Sequence, residues 1–516
     1  MQGRIVKAVF SVAGIIFISR LLGFFREMVI ADKFGTSAGY DLYLIAIILP
    51  ALFYGVINFS SIYLFVPYLS KKENTKNIAD NSSVWYSIWP VINSVLILAV
   101  CFVILIILFA PYIMKIWSKN FTAQEFHLVV FYCRITAFVV ILGVLESFMR
   151  AYLNVKKIFT YPASGYIVYN IFFILAVLVL YKRFSVGALV VGLLGGLIIQ
   201  DIYLFLRIIS FNPFKRFNKT IFSQETKSVL ATGGILILIE FINRSYFLVD
   251  RYVAQKFGEG VISALNYSQV LIQLPDSIIG FAIGTVIFPL LSEAVVNVNN
   301  QRFTETFKKA IISSILLSIP IAVFFFINAT ELVYLLFHRG AFDQRSVMIT
   351  ASVLKPFTPS IIALFVISLS IRACYSRGWG RYVLYFAIII LITKFVTTLL
   401  LPRWLGYIGI TTATAVAHIG FASLMLSLIV KRIFKKDKAK FLVIIGKLIL
   451  IGVLTAFFMT FVNKELAVYL TRSDRLDILF KLFLSGITLL FIYIFSLYIF
   501  GLKNVMLFTG TSKNRR

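Results

Sequence analysis

The sequence predicts an all-α polytopic membrane protein of about fourteen transmembrane helices, arranged as two parallel six-helix lobes plus two C-terminal helices. Three observations lead there. Of the 516 residues, 60% are hydrophobic and 14% charged, with a mean hydropathy of +0.94, whereas soluble domains carry about 45–50% apolar and about 25% charged residues. Apolar runs of spanning length, roughly 20 residues each, succeed one another with only short polar breaks. A set of short motifs also recurs once, at a nearly constant offset. The composition excludes an ordinary soluble enzyme, a disordered chain and a disulfide-stapled secreted domain.

In chain order the spans are expected at 6–31, 40–68, 84–113, 126–150, 159–181, 186–207, 228–250, 260–292, 310–337, 346–372, 380–402, 408–430, 440–463 and 477–502. The first carries Arg20 and leads straight into the second without an A-x-A site, so it is not a cleavable signal peptide. Pro50, Pro275, Pro320 and Pro356 are expected to break the second, eighth, ninth and tenth spans, where freed backbone groups can line a cavity or gate. Gly192, Gly195 and Gly196 on the sixth predict close helix packing. Arg134 and Glu146 on the fourth are open in meaning. Lys447 and Lys481, near the ends of the last two spans, fit snorkelling.

The repeat pairs Ile18-Ser-Arg20, Lys33-Phe-Gly35, Pro50 and Pro67-Tyr-Leu-Ser70 with Ile242-Asn-Arg244, Lys256-Phe-Gly258, Pro275 and Pro289-Leu-Leu-Ser292, at offsets of 224, 223, 225 and 222. Six spans precede the second copy, so both copies face the same way, a transporter arrangement. The expected division is 1–222, 223–434 and a 435–516 segment with two helices and a basic tail. Lys and Arg favour one side of the membrane by about two to one, including Lys71-Lys72, the Lys431–Lys440 loop and Lys513 with Arg515-Arg516, which predicts both termini in the cytoplasm. The net charge of +29 is thus a topology signal beside anionic lipid, not a nucleic-acid footprint.

Charges inside spans carry the functional signal. An Arg near mid-helix costs about 2.5–3.5 kcal/mol on insertion scales and needs water or a partner. Arg20 lies deep in the first span, with Arg26 and Glu27 nearer its end and Asp41 opening the second. These residues predict either an ion-pair network joining the two helices or a cavity that binds an anion. Glu240 and Arg244, four apart with Glu first, predict a helical ion pair, with Asp250-Arg251 further out. Arg20 and Arg244 at equivalent places in the two copies favour the cavity, since paired arginines suit phosphate. Lys394, well inside the eleventh span, is expected to act as a fixed cation against Asp250 or Glu240. Lys355 is either a ligand of the carbonyl that Pro356 frees or a functional cation.

Catalysis finds no support. The chain has no P-loop, no loop long enough for a catalytic or nucleotide-binding domain, and three scattered histidines (His127, His338, His418). Cys101, Cys133 and Cys374 lack disulfide or metal spacing. No enzyme, cofactor, metal site or nucleotide is expected.

The run Ser19-Arg-Leu-Leu-Gly-Phe-Phe-Arg-Glu27, with Phe34-Gly35, Asp41 and Leu49-Pro50, resembles the opening of the MviN/MurJ lipid II flippases of the multidrug/oligosaccharidyl-lipid/polysaccharide exporter superfamily. Ala264-Leu-Asn-Tyr267, Leu274-Pro275, Gly284-Thr285, Pro289 and Leu336-Phe-His-Arg-Gly-Ala-Phe342 resemble its second lobe. The resemblance covers essentially the whole chain. It implies a bacterial inner-membrane flippase that moves undecaprenyl-pyrophosphate-linked lipid II to the outer leaflet by alternating access. It also implies a cationic cavity holding Arg20, Arg26 and Asp41, and an acidic position at Asp250 tied to a sodium site in some members. Another polyprenyl-linked glycan, such as a capsule, O-antigen or teichoic acid precursor, is the alternative substrate. The chain departs from the family at Ala51-Leu-Phe-Tyr-Gly55 and at Gln269-Val270, where arginines are common, and at Lys394, where sodium-binding members carry Asn and Asp. Arg244 is expected to offset the lost arginines and Lys394 to replace the ion, with membrane potential as a driving force.

Overall fold

The computed structural model describes residues 2–60, 64–75, 81–211, 218–434, 438–469 and 475–502. The chain divides into two compact units, Met1–Ser263 and Ala264–Arg516, and every long element is an α-helix. The first unit holds α1 (Gln2–Phe34), α2 (Ala38–Ala46), α3 (Ile48–Ser60), α4 (Val66–Thr75), α5 (Asn81–Met114), α6 (Ala123–Thr136), α7 (Val139–Val155), α8 (Thr160–Phe184), α9 (Gly187–Ile209) and α10 (Gln224–Ala254). Next, α11 (Val261–Pro275) begins in the last residues of that unit. The second unit continues with α12 (Phe281–Val296), α13 (Asn300–Ile327), α14 (Ala329–Phe337), α15 (Gln344–Phe357), α16 (Pro359–Ser376), α17 (Gly380–Leu400), α18 (Pro402–Leu405), α19 (Ile408–Ile433), α20 (Lys438–Tyr469) and α21 (Arg475–Ile499).

Among the described residues eleven helices are long and apolar enough to cross a membrane, or twelve if the bent pair α2–α3 is one span. The expected count of fourteen is not reached on that criterion. The two expected spans outside it are the first and seventh. There α1 and α10 run for 33 and 31 residues, carry the arginines and carboxylates singled out above, and include side chains outside the described residues. Positions 435–437 of the basic loop and the basic tail Lys513, Arg515 and Arg516 also lie outside them.

The prolines act through the carbonyl four residues back, which loses its donor and meets the ring. Pro50 belongs to the 49° bend between α2 and α3. Pro275 ends α11, and a π-turn at Asp276–Gly280 follows. Pro356 lies in the last turn of α15, with Pro359 opening α16. Pro320, in contrast to expectation, does not break its span: α13 runs through it, and Tyr493 Oη on α21 donates to the freed Leu316 carbonyl at 3.0 Å. Arg134 has the same use in the first unit, its Nε donating at 3.0 Å to Ile107, the carbonyl freed by Pro111. Lys355 is exposed and bonds no such carbonyl among the described residues.

Close packing follows the glycines. On α9, a Cβ at Gly192 would stand 3.2 Å from the Phe173 ring and one at Gly196 2.8 Å from Tyr169, while Gly195 lies against Phe172. These contacts let α8 and α9 pack along their length. Several helix starts carry side-chain caps. Thr122 and Glu125 form a capping box on α6. Asp343 caps α15, and the Ser346 N–H and hydroxyl hold its carboxyl below the usual carboxylate range.

Candidate functional site

The first helix places its charges on different neighbours. Arg26 Nη2 lies 2.7 Å from Glu27 Oε1, and Nη1 donates to Asn170 Oδ1 on α8 at 3.2 Å. Its guanidinium also stands 5.1 Å from the Phe173 ring centroid and 5.5 Å from that of Tyr169, within cation–π range. Glu27 accepts in addition from Tyr40 Oη on α2 at 3.4 Å. Arg26 and Glu27 therefore fasten α1 to α8 and α2. Arg20, two turns earlier, is exposed between exposed Phe17, Ile18 and Leu21, and makes no ion pair among the described residues.

Asp41 is 3% exposed and fully engaged. Its Oδ2 accepts from the Gly260 N–H and its Oδ1 from the Ser263 N–H, each at 2.7 Å, and the Ser263 hydroxyl also donates to Oδ1. The carboxylate thus caps the N-terminus of α11 from another helix, where orphan N–H groups and the helix dipole favour an anion. Gly260 has φ +88°, and a Cβ there would crowd the Thr36 backbone, so the turn that presents these donors requires glycine. The exchange is mutual: Glu259 Oε1 accepts from Ala38 N–H at the start of α2 at 2.8 Å. At the other end of α2, Arg251 donates to the Leu44 carbonyl, the favourable sign for a helix C-terminus.

Deeper in the first unit, Arg244 Nε lies 2.6 Å from Glu240 Oε1, the expected i,i+4 pair. The Arg244 guanidinium rests on Gly55 of α3, filling the space a Cβ would occupy. The preceding residue, Tyr54, packs on Gly143 of α7 and donates its hydroxyl to Glu146 Oε2 at 2.7 Å. Glu146 in turn pairs with Arg150 at 2.8 Å, and the Arg150 guanidinium lies 3.8 Å from the Tyr166 ring centroid. Tyr166 interacts electrostatically with Arg150, Glu146, Arg20 and Arg244. The two arginines expected at equivalent depths thus both act electrostatically on Tyr166. Asp250 lies half-buried on α10 next to Arg251.

In the second unit Lys394 is 0% exposed. Its Nζ donates to Thr414 Oγ1 and, at 3.4 Å, to the Ile410 carbonyl, both on α19. The carboxylate of Glu240, one of its two expected partners, is held by Arg244 instead. Two lysines expected to snorkel are bonded: Lys481 pairs with Glu331 at 2.6 Å, and Lys447 donates to the Phe500 carbonyl past the end of α21 at 3.1 Å.

Sequence reasoning missed three charged residues. Arg150 was legible, since Glu146 and Arg150 obey the spacing that pairs Glu240 with Arg244. Arg372 on α16 lies on Gly284 of α12, with Nη1 buried and unbonded among the described residues. Its signal is an arginine a turn inside an apolar helix end. Asp201, inside the sixth span, is the third.

A family model described as lipid II flippase MurJ matches residues 30–473. The "Probable lipid II flippase MurJ" of Buchnera aphidicola subsp. Baizongia pistaciae is 26% identical over 423 residues, covering 80% of this chain and 81% of that one. The "Lipid II flippase MurJ" of Burkholderia cenocepacia is 24% identical over 433 residues, with 80% and 81% covered. Among solved structures, a lipid II flippase MurJ in an inward closed conformation superposes with a TM-score of 0.77 at 21% identity, covering 95% of this chain and 98% of that one. An inward-facing MATE family transporter of the MOP superfamily gives 0.67 at 12% identity, covering 80% and 94%. At these identities the structural likenesses carry the fold.

Proposed function

The chain belongs to the lipid II flippase MurJ family, and from that premise we propose that it carries undecaprenyl-pyrophosphate-linked lipid II from the inner to the outer leaflet of a bacterial cytoplasmic membrane. It does so by alternating access, with both termini in the cytoplasm and without nucleotide. The names of its relatives favour lipid II over another polyprenyl-linked glycan. The observation that supports this reading of the site is that Arg20 and Arg244 both act electrostatically on Tyr166. Arg20 has no ion pair among the described residues and stands among exposed apolar residues of α1, Phe17, Ile18 and Leu21. A guanidinium in that setting is stable only toward water or an anion, and a pyrophosphate offers bidentate acceptors for two arginines.

Arg244 is half tied to Glu240, so substrate phosphate would compete with a carboxylate for it. That competition weakens binding enough to permit release. Arg26 and Glu27 set the tilt of α1 and act on the cavity by positioning Arg20. Asp41 serves as a latch: while it caps α11, the α10–α11 turn is held to α2, and opening at that end requires the carboxylate to leave the three donors supplied by Gly260 and Ser263.

Lys394 replaces an exchangeable cation. A hydroxyl and a main-chain carbonyl are oxygen ligands that suit an alkali ion, and here they hold a tethered ammonium. Asp250 then has no bound sodium to serve and acts with Arg251 at the α2 end. The driving force left to such a carrier is the membrane potential. Moving one negative charge outward across an inside-negative 100 mV gains about 2.3 kcal/mol. The test is flipping in vesicles at imposed potentials: the rate should rise with inside-negative voltage, and a rate indifferent to voltage would contradict this driving force.

A further inference from the structure

The function proposed above makes no use of a polar buried corner of the first unit. There α9 carries Gln200 and Asp201, and α7 carries Glu146 and Arg150. Asp201 is 7% exposed and neither of its carboxylate oxygens has a hydrogen-bond partner among the described residues. Gln200 is 0% exposed, and both of its amide atoms are likewise without one. Its side chain lies against Gly165, the residue before Tyr166. Buried polar groups are nearly always satisfied, so two adjacent orphans in one corner call for an explanation.

Charge supplies it. Asp201 interacts electrostatically with Glu146 and Arg150, but forms no ion pair among the described residues. Arg150 is already committed to Glu146, to the Tyr166 ring and to the Pro162 carbonyl. Glu146, 0% exposed, has its second oxygen bonded by Tyr54. Two carboxylates thus share one guanidinium, and Glu146 holds it. From α8, Tyr161 stacks on Tyr203 and Tyr169 lies against Gly196 of α9, while Tyr166 interacts with Glu146, Arg150, Arg20 of α1 and Arg244 of α10. From α6, Glu125 is spent in its own capping box and Arg134 on the Ile107 carbonyl. On α9 itself, Arg207 bonds Ser210 and stands over the Tyr161 and Phe211 rings. Among the described residues Arg150 is the one cation that acts on Asp201, and it is held by Glu146; an uncompensated buried charge is far costlier than the neutral acid.

We propose that Asp201 is a proton-binding site. In the conformation seen here the side chain is the neutral acid, formed by adding one proton to the carboxylate. The proton leaves to water when α7 and α9 move apart and Asp201 is hydrated, and no other reactant enters the step. Resting on the flippase reading, this makes the transport cycle proton-linked in addition to potential-driven.

The binding of the proton is tested without transport. Infrared spectra of the purified full-length protein in lipid at neutral pH should contain the carbonyl stretch of a protonated carboxylic acid. That band should shift on deuteration and be lost in Asp201→Asn, an isosteric mimic of the neutral form that should fold and run as wild type on size exclusion. A spectrum unchanged by Asp201→Asn, or a band lost only in Glu146→Gln, would overturn the proposal. The linkage is tested in vesicles at zero potential. Wild-type flipping should differ several-fold between opposite pH gradients and Asp201→Asn should not, and equal responses in the two proteins would overturn it. A band lost in Asp201→Asn from a protein that flips no lipid II would sustain the proton site while removing the flippase reading.

Discussion

The guanidinium of Arg244 lies directly on the α-carbon of Gly55, so a cation of one helix fills the side-chain space of another. The contact explains why glycine stands at that place in the second span. It also shows how positive charge reaches the α3 surface although the Ala51–Gly55 run carries no arginine of its own.

A methyl group at Gly55 should expel that guanidinium. Gly55→Ala is expected to lower flipping to the level of Arg244→Ala, and adding Gly55→Ala to Arg244→Ala should cost nothing further, because residues in contact couple. Both single variants should reach the membrane in wild-type amounts. Additive losses measured in the double variant would show that the two residues act separately.

The Asp41 cap is expected to be energetically visible. Replacing an N-cap side chain with alanine costs about 0.5–2 kcal/mol, and this cap is buried and bonded by three donors. Asp41→Ala should therefore lower the unfolding temperature of the purified protein. It should also raise cysteine accessibility at a thiol introduced near Gly258, reporting release of the α10–α11 turn. Ser263→Ala, which removes one donor of the three, should give a smaller shift in the same direction. An unchanged accessibility in Asp41→Ala would mean that the carboxylate does not hold the turn.

Sodium should be dispensable. With the Lys394 ammonium on Thr414 and the Ile410 carbonyl, replacing sodium by choline at constant ionic strength should leave the flipping rate of the wild type unchanged. A rate that climbs with sodium would show that an ion binds in spite of the lysine.

How much of this was legible in the sequence depended on the range of the interaction. Helix class and span positions follow from runs of apolar residues, which are local. The Glu240–Arg244 pair is local too, a matter of one helical turn, and Glu146–Arg150 follows from the same spacing. Gly192, Gly195 and Gly196 announce close packing because only a small residue lets helices approach. The fate of Asp41 could not be read in this way. Its partners, Gly260 and Ser263, are more than two hundred positions away and offer backbone donors, which leave no trace in side-chain pattern. Pro320 misleads for a related reason. Proline frees a carbonyl and removes a donor, but whether the helix breaks depends on a distant group such as the Tyr493 hydroxyl that takes the carbonyl up. Arg26 and Arg20, six residues apart, carry the same local signal. Only the neighbours supplied by folding, Glu27 and Asn170 for one and the surroundings of Tyr166 for the other, separate a fastener from a candidate ligand.

The most direct measurement is lipid II accessibility at the outer surface of a bacterium depleted of its own flippase and expressing this chain, beside the same strain expressing Arg20→Ala. Restored accessibility with the wild type, lost with Arg20→Ala at equal membrane abundance, is the predicted result. Wild-type accessibility in the Arg20→Ala strain would contradict a cationic site built on Arg20 and Arg244. No restoration by a membrane-inserted wild-type chain would contradict lipid II as the substrate.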